Sequence, residues 1–276
     1  MSAFSEPKVD SHCHVLDPAR FPYRAGVAYE PAGQEIGTEE QLLAVCHAYG
    51  VTNALLVGPN SGYGEDNACL LATLSRGAGR FRGVAVVPMD TDGDVLAALK
   101  AQGVVGVAIN ATYHGVEFYR DVGVLARRLA DAGLFLNIQV EADQLCELAP
   151  LVEDTDVTLV VDHCGRPHAD GGLAQPGFRR LLDWGREGRA NVKLSGLQKI
   201  SRRAYPYEDA RPFLDALVDA FGLDHCVWGS DWPFLRAPER LDYGPLLTLV
   251  DRLFLRPEDR RVLLWNTPRR LFGFES

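Results

Sequence analysis

Three things are scarce or missing in this sequence, and each excludes a class of protein. Positive charge is short: 28 Lys and Arg stand against 37 Asp and Glu, for a net charge of −9. Nucleic acid is therefore not an expected partner, because docking on phosphates needs a basic face. Paired cysteines are missing, since Cys13, Cys46, Cys69, Cys146, Cys164 and Cys226 are scattered with no C-x-x-C. That argues against a zinc ribbon, a redox motif or a disulfide framework, and for small buried hydrophobes in a reducing compartment. Long apolar runs are missing too, for no window approaches the ~18 continuous apolar residues of a membrane span. The opening MSAFSEPKVDSH carries neither the apolar core of a signal peptide nor the Arg-rich pattern of a transit peptide, so a cytoplasmic location is expected.

What is present is an ordinary globular composition, 47% hydrophobic and 24% charged over 276 residues, enough to bury a core without cross-links. Short apolar runs alternate with longer amphipathic ones. The predicted strands are 9–15, 53–57, 82–87, 104–110, 135–140, 158–162, 191–195 and 226–229. The predicted helices are 39–49, 66–75, 94–101, 118–132, 143–152, 178–186, 208–221 and 243–254. Nearly continuous apolar strands fit a parallel sheet covered on both faces. Gly50, Gly103, Gly133 and Gly222 stand where helix C-terminal glycines belong, and Thr38 and Asp66 read as helix starts. Eight strands alternating with eight helices predict an α/β fold, a single (β/α)8 TIM barrel, although a doubly wound open sheet gives the same local pattern. No repeat, low-complexity tract or linker interrupts residues 1–276, which are expected to form one domain. The stretch 17–37 is too long for an ordinary connection and, with Phe21, Tyr23 and Tyr29, is expected to form a flap over the barrel mouth.

The chemistry sits at predicted strand ends. His12 and His14 close the first strand two residues apart, so both imidazoles share one face, about 7 Å apart at the backbone. In a barrel they point inward at the C-terminal rim, where barrel enzymes do their chemistry, while Cys13 points outward. His163 follows the sixth strand and Asp231 the eighth, between Trp228 and Trp232. Each taken alone has a structural reading, as a capping aspartate or a loop histidine. Their shared rim is what makes them an active-site candidate.

The motifs Val9-Asp10-Ser11-His12-Cys13-His14, Asp162-His163-Cys164-Gly165-Arg166-Pro167 and Trp228-Gly229-Ser230-Asp231-Trp232-Pro233 resemble the amidohydrolase superfamily. They are most similar to its branch of 2-pyrone-4,6-dicarboxylate lactonases and sugar-lactone hydrolases. The resemblance implies that Asp231 acts as general base on a water, with His12, His14 and His163 around the lactone carbonyl stabilising the oxyanion. It also implies substrate contacts from Tyr29 in the flap, from Arg166 and from Lys199. The chemistry agrees, since ester hydrolysis needs a deprotonated base and donors aimed at the developing charge.

His12, His14 and Asp231 also form a plausible zinc or manganese site. Gln139 and Asn110, on the middle strands, are poor further ligands, so no metal is expected to be required. An acidic protein does not attract anions in general, so any anion site must be local and built from Arg or Lys. Where the resembling branch carries two arginines on the fourth strand, this chain has Ala108 and His114. A dicarboxylate is therefore not expected, and a monoanionic or neutral lactone fits better, with Asn60, Ser61, Tyr63, Asn110 and Tyr113 as neutral donors. Two rivals remain. One is a metal-dependent amidohydrolase or decarboxylase of the same superfamily; the other is a non-catalytic barrel binding a small acid, which would have no need of a general base. A small molecule is the expected partner, and the sequence does not indicate an oligomeric state.

Overall fold

The computed structural model describes residues 2–27, 29–237 and 239–274, so Ala28 of the expected flap lies outside the described residues. Eight strands form one parallel sheet in sequence order: β1 (Lys8–Cys13), β2 (Val51–Val57), β3 (Phe81–Ala85), β4 (Val104–Asn110), β5 (Phe135–Gln139), β6 (Leu159–Val161), β7 (Ala190–Leu194) and β8 (Cys226–Trp228). Eight principal helices alternate with them: α1 (Glu39–Tyr49), α2 (Ala68–Arg76), α3 (Gly93–Ala101), α4 (Val122–Ala132), α5 (Gln144–Val152), α6 (Pro176–Arg186), α7 (Arg211–Phe221) and α8 (Tyr243–Leu253). The sheet closes at its upper rim, just past β8. The Asp231 amide donates to the His12 carbonyl at 2.7 Å and the His14 amide to the Trp232 carbonyl at 2.8 Å. This is a (β/α)8 barrel, and the bonds that close it are also those that set Asp231 beside the two histidines.

Two apolar layers follow from the alternation of side chains along parallel strands. Val9, Leu55, Val84, Phe135, Val160 and Val227 fill the lumen, and Phe272 and Phe274 from the C-terminal helical run pack against them. Cys13, Leu56, Val107, Leu136, Val161 and Val192 join the larger core shared with the helices. Strand β1 breaks strict alternation, because Val9 faces the lumen and Cys13 the outer layer. A register irregularity between Asp10 and Cys13 resets the parity. Asp10 is left facing outward, where it accepts from the Ser230 amide (2.9 Å), the Ser230 hydroxyl (2.6 Å) and the Tyr243 hydroxyl (3.0 Å) of α8. His12 and His14 then face the lumen.

The element boundaries moved in places. Helix α2 begins at Ala68 rather than Asp66, whose carboxylate instead accepts from the Ala68 amide at 2.9 Å. Separate 3-10 turns at Glu117–Tyr119 and Glu208–Ala210 precede α4 and α7, which are shorter than the amphipathic patterns suggested. Thr38 caps α1, and Gly50 ends it in the left-handed conformation, as expected. Among its described residues, the flap region 17–37 has no regular structure beyond a turn at Gly33–Glu35. Its base is tied by the Leu16 amide to the Gly37 carbonyl at 2.8 Å, and its middle by Gly62 to Tyr29 at 2.9 Å. No described helix is long and apolar enough to cross a membrane.

Candidate active site

The rim of β1, β6, β7 and β8 assembles one buried constellation. Three imidazoles turn Nε2 toward a single oxygen, Asp231 Oδ1: His14 at 3.3 Å, His12 at 3.6 Å and His163 at 3.7 Å. The rings of His12 and His163 lie 4.6 Å apart and those of His12 and His14 5.0 Å. Asp231 and His163 hold φ of 63° and 49°, conformations that cost residues with a Cβ and that cluster where surrounding structure fixes them for function. Two glycines let the histidines sit so close to their neighbours. A Cβ on Gly229 would fall 2.6 Å from that of His12, and one on Gly196, where φ is 67°, 2.9 Å from the Cβ and ring of His163.

Charge around this centre is arranged in two ion pairs, one fully buried and one at the edge of the cavity. Lys199 Nζ lies 2.6 Å from Asp231 Oδ2, and Lys193 Nζ lies 3.0 Å from Asp162 Oδ1. Burial works to raise the Asp231 carboxyl, but Lys199 and the surrounding histidines outweigh it and hold it well below the usual carboxylate range. Burial likewise opposes ionisation of Asp162, and Lys193 overrides it. The imidazoles go the other way. Burial and then Lys193 push His12 down to about 4, and burial and then Lys199 push His163 well below the usual histidine value. The centre at neutral pH therefore holds two carboxylates and neutral imidazoles at His12 and His163, while burial pushes Lys193 down and its contact with Asp162 opposes that.

The outer nitrogen of each imidazole has its own partners, and for His14 they fix which nitrogen carries the proton. His14 Nδ1 lies 2.8 Å from the Val57 carbonyl, which only accepts, so that nitrogen carries a proton, and the neutral form of the ring turns a lone pair inward. His12 Nδ1 lies 3.1 Å from the Lys193 ammonium, which only donates, and 3.2 Å from Asp162. His163 Nδ1 meets the Ser195 hydroxyl at 3.0 Å. Asn137 holds the far oxygen of Asp162 at 2.6 Å. Lys193, Asp162, Ser195 and Asn137 were not singled out as site residues from the sequence. Two signals were available: two of only four lysines fall at or just beyond the seventh strand, and Asp162 lies inside a recognised motif.

A cavity of about 420 Å³ opens above the centre. His14, His163 and Asp231 line it, and so do Tyr29, Asn60, Asn110, Arg166 and Lys199. Ser61, Tyr113, Gln139 and Ala108 are on its wall as well. Tyr63 is not a ligand donor, since its hydroxyl is buried beneath the flap and accepts from the Asp17 amide at 3.0 Å. His114 lies outside the cavity lining and stacks on Phe118 at 4.7 Å. Arg236, in the loop after β8, lines the cavity without having been singled out. Several buried polar atoms on this wall have no partner within the protein, among them Tyr113 Oη, Asn137 Oδ1 and Arg166 Nε. Such atoms have hydrogen-bonding capacity that the protein itself leaves unused.

His12, His14 and Asp231 also bring one ligand atom each within 4.8 Å of one another, as do His12, Asp162 and His163. The separations of 3.3 and 3.6 Å from Asp231 Oδ1 to the first two imidazoles match the edge of a tetrahedron with bonds near 2 Å, which is about 3.3 Å. The His14 lone pair facing a carboxylate oxygen has the polarity that a divalent cation takes. This donor set fits a metal ion.

Comparison with known proteins agrees with the geometry. The amidohydrolase family model matches residues 9–274. The chain is 32% identical over 284 residues to the 4-sulfomuconolactone hydrolase of Rhizobium radiobacter, covering 98% of this chain and 92% of that one. It is 30% identical over 273 residues to the enzyme of the same name from Hydrogenophaga intermedia, covering 96% and 88%. A solved Pseudomonas putida structure assigned as a 2-pyrone-4,6-dicarboxylic acid hydrolase superposes with a TM-score of 0.83 at 29% identity, covering 98% of both chains. With the barrel, the histidine cluster and the match over residues 9–274 together, the chain belongs to the amidohydrolase family.

Proposed function

We propose that the protein is a lactone hydrolase that opens a small ring bearing an acidic or hydroxyl group, with Asp231 as general base. The observation that carries this reading is a carboxylate kept ionised by Lys199 with three imidazole nitrogens turned toward one of its oxygens. Names of relatives that hydrolyse lactones support it. In this reading a water sits between Asp231 Oδ1 and His14 Nε2, both of which accept its protons. Asp231 takes one proton as the water oxygen bonds to the lactone carbonyl carbon. His12, accepting from Lys193 on its outer nitrogen, and His163, accepting from Ser195, then present N–H groups to the developing oxyanion. Collapse breaks the ring C–O bond, and Asp231 returns the proton to the leaving oxygen. Tyr29, Asn60, Asn110, Arg166 and Lys199 bind the remainder of the ring. Ala108 on the wall, with His114 turned away, supports a monoanionic or neutral substrate over a dicarboxylate.

No metal is required in this reading, because Lys199 and Lys193 already compensate the two carboxylates. The convergence of His12, His14 and Asp231 favours a second reading, in which these three hold a divalent ion. When bound, it would polarise the carbonyl as a Lewis acid. Residues 1–276 act as one catalytic domain, and its six free cysteines suit a reducing, cytoplasmic setting. The test is ring opening on a panel of lactones, with metal content measured and with chelator added, alongside Asp231→Asn. Chelator-resistant turnover abolished in Asp231→Asn supports the first reading. Chelator-sensitive turnover restored by zinc or manganese selects the second, and no lactone turned over by the wild type rejects the function.

A further inference from the structure

An acidic protein that binds an acidic ring needs a cation in the cavity whose charge is not already spent on a carboxylate. Three cationic side chains line the cavity, Arg166, Lys199 and Arg236. Two are committed. Lys199 lies 2.6 Å from Asp231, and Arg166 reaches Glu141 at 3.1 Å. Arg236 makes no ion pair with a carboxylate among the described residues. Its guanidinium lies over the ring of Tyr29, 5.5 Å from the centroid. Both ends of this stack are held by one carboxylate: Glu35 accepts from the Tyr29 hydroxyl and from the Arg236 backbone amide, the latter at 2.6 Å. Glu35 thus fixes the loop after β8 to the flap and leaves the guanidinium free at the mouth. An aromatic face keeps a guanidinium's fork open to a planar anion while restricting its motion.

We propose that Arg236, seated on Tyr29 and positioned by Glu35, is the specificity-determining residue that binds the acidic group of the substrate. It places that group at the flap and β8 side of the cavity, away from the β4 wall where Ala108 stands. The inference deepens the lactonase reading and rests on it for the word substrate, while its binding arm does not need turnover. The first arm compares an anionic and a neutral lactone in the wild type, Arg236→Gln and Arg236→Lys. Arg236→Gln is expected to raise KM for the anionic ring about tenfold or more, with kcat within about twofold and the neutral ring unaffected, and Arg236→Lys to restore part of the loss. The second arm measures calorimetric binding of furan-2-carboxylate and its neutral amide, furan-2-carboxamide. A wild-type preference for the carboxylate that vanishes in Arg236→Gln supports the inference whether or not any lactone is hydrolysed. Equal effects on charged and neutral rings, or no wild-type preference, overturn it. A wild type that opens no lactone but shows the preference rejects the catalytic reading alone.

Discussion

The two sides of the cavity are built on opposite principles. On the side of β1, β6, β7 and β8, His12, His163, Asp162, Asp231 and Lys193 are buried, charged or hydrogen-bonded, and locked to one another. On the side of β2, β4 and β5, Asn60, Ala108, Asn110, Tyr113 and Gln139 are neutral and loosely partnered. Gln139 reaches Thr112 only at 3.4 Å, and Tyr113 Oη meets nothing within the protein. The first side has a single arrangement that its ion pairs enforce, as a reaction centre needs preorganised charge. The second has spare hydrogen-bonding capacity, as a recognition wall needs. If this division is right, substitutions on the first side change kcat or unfold the protein, whereas those on the second change which ring is preferred.

The sharpest test of the catalytic side is Asp231→Asn. It keeps the shape and removes the proposed base, and a general base supplies about 10²–10⁴ in rate. We expect kcat/KM to fall about a thousandfold or more, roughly 4 kcal/mol of transition-state stabilisation, with a smaller loss of stability than Lys193→Met causes, because the Lys199 left unpaired is partly exposed to water. A thousandfold loss from Asn110→Ala on the opposite wall would erase the contrast. Next is Lys193→Met. Removing one partner of a buried pair leaves Asp162 uncompensated, at a cost of about 3–5 kcal/mol, measured by denaturant unfolding. The double variant with Asp162→Asn is expected to recover much of that stability while leaving activity low, because His12 has lost the donor that orients it.

Titration separates the two sides without mutation. Folding lowers His12 from 6.5 to about 4 and His163 well below its usual value, so the unfolded chain binds protons that the native one refuses. Stability from these groups is full above about pH 6.5 and is lost as pH falls toward 4, and His12 alone accounts for about 3 kcal/mol. Asp231 and Asp162, held below the usual carboxylate range, give up their contributions only at still lower pH. Between pH 7 and 5, kcat/KM for a neutral lactone is expected to stay flat while urea midpoints decline. An acid limb within that range would instead show that one of the three imidazoles, His12, His14 or His163, charges in the free enzyme.

Much of this division was legible in the sequence. The strand alternation and its glycine stops gave the barrel, and the strand-end positions of His12, His14, His163 and Asp231 gave the centre. What was not legible is what depends on register and long-range closure. The irregularity in β1 decides that Asp10 braces Ser230 and Tyr243 while the histidines face inward, and a period-two pattern contains no sign of it. Lys193 lies in a strand whose burial looks apolar, and only its lumen-facing parity and the approach of Asp162 from the end of the neighbouring β6 reveal a counter-charge. Tyr63 was misplaced for a related reason. Sequence proximity to a strand end does not say whether a side chain turns into the cavity or under the flap.

The smallest expected effect tests the recognition wall at one atom. Tyr113 Oη lines the cavity without a protein partner, so its hydrogen-bonding capacity is available to a bound ring oxygen or hydroxyl. Tyr113→Phe removes that capacity and keeps the ring. Stability is expected to rise or hold, by no more than about 1 kcal/mol, while KM for a hydroxyl-bearing lactone rises about fivefold and kcat is unchanged. A lactone lacking the hydroxyl should lose nothing. If both rings lose affinity equally, Tyr113 shapes the wall rather than reading the substrate. If kcat falls instead, the neutral side takes part in the chemistry, and the division between the two sides fails at that residue.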